Sequence, residues 1–159
     1  MNAVDILKYG HRTVGRAIDG LPESDWQTGG VCGYWSVKDI IGHLAAFEHV
    51  LVEVLTSFLD GAEMPYLNEM GAIGPQRFND VEADKRKDRP VDVVLGEYND
   101  AHAQTMALAR RIPAETWTKV GTLPWYGMEY ALDDLVVYQY YGHKREHCAQ
   151  IAVFRDTLK

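Results

Sequence analysis

The stretch Asp133–Arg155, DDLVVYQYYGHKREHCAQIAVFR, holds no proline and a single glycine, Gly142. Its spacing predicts one uninterrupted helix. Apolar or packing residues recur at Leu132, Val136, Tyr140, Ile151 and Phe154, the steps of one helical face. His143 and His147 fill the gap in that row. Residues four apart lie one above the other on a helix, so both imidazoles point at whatever the helix packs against. A buried imidazole needs a partner for each ring nitrogen. Two readings stay open on this helix alone: core histidines bonded to neighbours, or a metal ion that satisfies one nitrogen of each ring.

The remaining chain reads as three further long helices. The first spans about Val4 to Leu21, with Val4, Leu7, Val14, Ile18 and Leu21 in register, His11 among them, and Pro22 as its stop. A glycine-rich loop carrying Cys32 follows. The second helix opens at Ser36, where Ser36 and Asp39 form a capping box, and runs to Gly61. Its inward row is Ile40, His43, Phe47, Val50 and Val54. Glu48 is turned about 140° from His43 and cannot share a ligand with it, and His49 points away as well. The third helix runs from Pro90, read as its first residue, to Ile112, with His102 at the margin of its apolar side.

Between the second and third helices lies a weakly patterned segment, Ala62 to Pro90, with a short polar helix expected over Gln76–Lys87. Its Lys85-Arg86-Lys87 run reads as a solvated helix end. A connection this long lets helices 2 and 3 run parallel. No stretch alternates as a strand. The expectation is all-α: a single domain over residues 1–159, a four-helix bundle with long crossover connections.

Composition narrows the function. Of 159 residues, 47% are hydrophobic and 25% charged, the balance of a globular domain. A formal net charge of -7 argues against nucleic acid as a partner. No run approaches the ~18 apolar residues of a membrane span. Two cysteines, Cys32 and Cys148, make no disulfide framework and point to a reducing, cytoplasmic compartment.

His43 on helix 2 and His143 with His147 on helix 4 together offer three imidazoles on one side of an ion, leaving the other side open. Trp35-Ser36-Val37-Lys38-Asp39, then His43-Leu44, and His143-Lys144-Arg145-Glu146-His147 near the end resemble the DinB/YfiT-like family over essentially the whole chain. The resemblance implies an up-down-down-up bundle, a homodimer, and a divalent metal, nickel or zinc, on His43, His143 and His147. It further implies a metal-dependent hydrolase or a transferase that uses a low-molecular-weight thiol, acting on a small-molecule substrate. The rival is a stress-related binding bundle without catalysis.

Other motif readings are weaker. His143–His147 also fits the inverted zinc-protease pattern H-x-x-E-H, but only 12 residues follow for the further ligand that class needs. Cys148 reads as a buried inert thiol rather than a nucleophile. Glu146 reads as an exposed carboxylate paired with a basic neighbour. His11, Trp35 and Trp125 are candidate pocket residues, the tryptophans at the site mouth.

Overall fold

The computed structural model describes residues 2–159, and among them an isolated bridge between Cys32 and Trp35 is the only extended pairing. In chain order the helices are α1 (Ala3–Ile18), α2 (Val37–Leu59), α3 (Pro65–Ile73), α4 (Pro75–Arg86), α5 (Val91–Ala109), α6 (Ala114–Trp117), α7 (Leu132–Leu135) and α8 (His143–Asp156). A π-helical stretch, Val136–Gly142, joins α7 to α8.

Contacts fix the directions of the four long elements. Tyr141 meets α1 at Tyr9, and Arg155 donates to the Ala17 carbonyl, so α8 runs parallel to α1. Val94 lies by Gly42 and Thr105 by Glu48, so α5 runs parallel to α2. His43 faces His147, whereas Tyr140 reaches Phe47, so α8 is antiparallel to α2. The order is up-down-down-up, as the resemblance implied.

Local chemistry sets most boundaries. The Asp5 amide donates to Asn2 at the start of α1 (3.2 Å). The capping box forms at α2: the Asp39 amide donates to Ser36 Oγ (3.2 Å), and the Ser36 amide to Asp39 Oδ2 (2.9 Å). Two ends differ from expectation. α1 stops at Ile18 rather than Leu21, because Gly20 turns the chain at φ 68° ahead of Pro22. Pro90 is the cap of α5 and not its first residue: its φ of -59° suits a helix, but its ψ of 153° is extended.

The weakly patterned crossover is ordered because α2 holds it with polar side chains. Glu53 accepts the Tyr66 and Leu67 amides (2.9 and 3.0 Å), capping the start of α3. Buried Lys38 donates to the Lys87 and Arg89 carbonyls (2.6 and 3.0 Å). Gly74, at φ 83°, makes the corner between α3 and α4, and Pro75 starts the next helix. Arg86 corrects the sequence reading. It is buried, with its fork on Glu97 (2.6 and 3.0 Å) and on Glu82 (2.7 Å). Its stem lies so close to Gly42 of α2 that a Cβ there would meet Arg86 Cδ at 3.0 Å.

The final helix is continuous but widened over Val136–Gly142, where an uninterrupted α-helix was expected. A π stretch adds a residue to the turn and re-aims the side chains beyond it. Beyond it, His143 turns to one side and Lys144 to the other. Lys144 is buried against Glu48, itself fully buried and accepting from Thr105 Oγ1 (2.9 Å). Burial raises the Glu48 pKa, but Lys144 and His102 outweigh it and hold the carboxyl at about 2.

Removing one partner of such a pair strands a buried charge. Lys144→Met should therefore cost about 3–5 kcal/mol in urea denaturation of the metal-free protein. The double variant Glu48→Gln, Lys144→Met should recover most of that loss. An unchanged midpoint for the single variant would mean the pair does not hold α8 to α2.

Candidate metal centre

α2 contributes His43 and α8 contributes His143 and His147, each aimed by an inward helical row. His43 Nε2 lies 2.9 Å from His143 Nε2, which lies 3.0 Å from His147 Nε2. One ligand atom from each ring falls within 4.8 Å of the other two. His43 and His147 are buried and His143 half-buried.

The ring environments decide what this cluster can hold. His147 Nδ1 donates to Gln150 Oε1 (2.8 Å), which leaves Nε2 a bare lone pair aimed at the other rings. His43 Nδ1 has no partner. Neutral rings cannot satisfy three converging Nε2 atoms among themselves, because each lone pair needs a donor or a cation. Nitrogens about 2.05 Å from a tetrahedral ion stand about 3.3 Å apart. An ion would therefore spread the two short pairs by only a few tenths of an ångström and draw together the third, His43 and His147, which lies within 4.8 Å, and the residues fit one.

The protonation states suit the same role. Burial lowers His43 to about 2, helped by His143 and His147. Burial and His147 lower His143 to about 4, against the opposing pull of the Gln139 carbonyl. His147 is lowered by burial too, with Gln150 and Glu146 opposing. All three are neutral at pH 7, as ligands must be.

A pocket of about 330 Å³ opens over the Nε2 atoms. One wall is the turn at Cys32–Trp35, tightened by Gly33 at φ 57° and by the Trp35 amide donating to the Cys32 carbonyl (2.9 Å). Trp35 is thereby laid against His43, ring centroids 4.9 Å apart, and its Nε1 has no partner. The other walls are Gln76, Asn79 and Asp80 on α4 and Glu146 and Gln150 on α8. Tyr34 spans the mouth, donating to Asp80 Oδ1 (2.9 Å). Among the described residues, no lysine or arginine lines this pocket.

The other candidates fall elsewhere. His11 stacks on His102 (centroids 3.9 Å) beside the Glu48 network, away from the pocket. Trp125 lines a separate apolar pocket rather than the mouth of this one. His49 points away, to Glu97 (3.0 Å). Glu146 is exposed on the rim, and no basic partner pairs with it among the described residues. Cys148 is half-buried rather than buried, and burial raises its thiol to about 11, so it is protonated and unreactive. Gln150 was missed, although its place three residues after His147 is a legible signal. The α4 wall has no such signal in the sequence.

Acid should destabilise the metal-free protein in a defined window. His43, His143, His147 and His11 (the last at about 4, from burial and then His102) all have folded pKa values below the unfolded value of about 6.5. Below pH about 6.5 the unfolded chain binds more protons than the folded one, so stability falls with pH. Glu48 and Glu97, both held at about 2, add their losses only below about 4.5. The melting temperature should therefore already drop between pH 6.5 and 5. A flat profile over that interval would mean the rings are not buried and neutral.

The family model described as the DinB superfamily matches residues 7–151. No curated protein and no solved structure matches significantly. The match covers the first ligand helix and both ligands of the last, and it agrees with the helical bundle and its ordered histidine triad. The chain belongs to the DinB superfamily.

Proposed function

We propose that this chain is a divalent-metal-dependent hydrolase of small molecules, with nickel or zinc held by His43, His143 and His147. The observation that carries the reading is the one-sided convergence of three Nε2 atoms beneath an open polar pocket. Three ligands with a free face are the pattern of a catalytic site, whereas structural zinc closes its fourth position. When bound, such an ion supplies Lewis acidity, polarising a substrate oxygen and lowering the pKa of water.

The chain's own residues supply the rest. Gln150 keeps His147 in the tautomer that ligates. Glu146 and Asp80 are the carboxylates on the pocket wall; Asp80 is engaged by the Tyr34 hydroxyl, whereas Glu146 accepts no hydrogen bond among the described residues and is the one free to take a proton. Trp35 shields one side of His43, with its indole N–H buried and without a partner.

Thiol transfer is the second reading. A three-imidazole site with an open position suits a thiolate, which is a strong donor to zinc, cobalt or nickel. Glutathione and bacillithiol carry carboxylates, however, and the rim offers Asp80 and Glu146 with no cation among its lining residues to receive them; mycothiol, whose carboxyl is tied up as an amide, meets no such repulsion. Hydrolysis is a better fit than transfer of either acidic thiol. The proposal includes a single domain over residues 1–159 that acts in the cytoplasm as a homodimer. Its support is the two free cysteines and the resemblance described above.

Metal content tests the ligands: alanine at His43, His143 or His147 should abolish stoichiometric metal, and His49→Ala should not. Metal retained in His43→Ala would remove α2 from the site. For the reaction, the loaded protein should turn over part of an ester, amide and phosphoester panel. Glu146→Gln should lower kcat about 100-fold with metal retained. If glutathione, bacillithiol or mycothiol instead produces a sulfur-to-metal band in the cobalt form, thiol transfer replaces hydrolysis. Inertness to both panels would leave a non-catalytic binding bundle.

A further inference from the structure

Beyond the polar pocket lies a second and larger one of about 590 Å³, within the range that encloses a drug-sized ligand. Its walls are mainly apolar: Phe47 and Val50 of α2, Leu67 and Met70 of α3, and Trp125 with Tyr140 from the last loop and helix. Asn68 and Gln139 are the amide side chains on it. Trp125 is 44% exposed although it is a large apolar side chain, so this surface is open to a ligand.

The two pockets are neighbours by construction. Phe47 follows His43 by four residues, about 6 Å along the same face of α2. Its ring stands 4.8 Å from the His43 ring and 5.0 Å from the His143 ring, centroid to centroid. Phe47 therefore faces the imidazoles on one side and lines the apolar pocket on the other. Tyr140 fixes it in place, donating from its hydroxyl to the Phe47 carbonyl (3.0 Å). At the rim, Pro75 lines the apolar pocket and Gln76 the polar one, and consecutive Cα atoms are only about 3.8 Å apart.

We propose that the apolar pocket is the binding site for the hydrophobic tail of the substrate. The substrate is then an amphiphile, with a polar reacting head at the three imidazoles and an alkyl or aryl group beyond Phe47. This rests on the hydrolase reading for the head and on the second pocket alone for the tail. Met64 and Met70 give the wall an adaptable surface that accepts chains of differing shape.

Alkyl hydroxamates test it, because the head chelates metal and the chain length can be varied. With zinc-loaded protein, affinity should rise about fourfold per methylene from acetohydroxamate to octanohydroxamate until the pocket is filled. Gly71 of α3 lines this pocket, and a Cβ added there meets nothing within 4 Å. Gly71→Phe, and separately Asn68→Trp, should therefore collapse the octano-to-aceto affinity ratio toward one, with helix content checked by circular dichroism.

A flat series in the unaltered protein, or a steep one that neither variant changes, would overturn the proposal. So would a flat series from a protein that is dimeric and whose variants become monomeric, because a second copy would then cover the pocket. Metal-free protein separates the two readings. If acetohydroxamate fails to bind the zinc-treated protein while 1-octanol still quenches the tryptophan fluorescence of the metal-free protein, and Gly71→Phe removes the quenching, the metal reading fails and the tail pocket stands.

Discussion

A carboxylate and an ammonium with no access to water join α2 to α8 at the centre of the bundle. Lys144 follows His143 by one residue and Glu48 follows His43 by five, so the pair that sets the helix register also sets the distance between the ligands. Neither charge tolerates a shift, because moving α8 by one residue would separate the two and leave each buried without its counter-charge. The α-helical periodicity beyond Gly142 then directs alternate faces of α8 to alternate tasks. His143 and His147 face the pocket, and Lys144 faces the polar interior with Thr105 and His102.

The same economy appears in the crossover. Parallel neighbours α2 and α5 require a long return path, and a path of polar sequence would have little reason to stay ordered. Lys38, Glu53 and Arg86 hold it with hydrogen bonds to backbone carbonyls, backbone amides and carboxylates. Once held, α4 presents Gln76, Asn79 and Asp80 to the metal pocket and Pro75 to the apolar one. A segment that looks like a connector thus forms walls of both cavities.

What could be read from the sequence was whatever repeats at helical spacing. The inward rows of α2 and α8 brought His43, His143 and His147 together on paper, and the Ser36–Asp39 box marked the start of α2 correctly. Features that depend on partners distant in the chain were not legible. Arg86 looks solvated beside Lys85 and Lys87 until Glu97, eleven residues away, is folded against it. Glu48 looks like a surface carboxylate until Lys144 arrives, 96 positions later. The π stretch has no composition of its own, and Trp125 sits in a loop whose path no periodicity constrains.

The central claim is that three imidazoles hold one ion and leave a position free. X-ray absorption at the zinc edge of the loaded protein addresses it directly. The account predicts three imidazole nitrogens at about 2.0–2.1 Å and one further light-atom ligand that acetohydroxamate replaces. A coordination shell with fewer than three imidazoles, or with cysteine sulfur at about 2.3 Å, would contradict it.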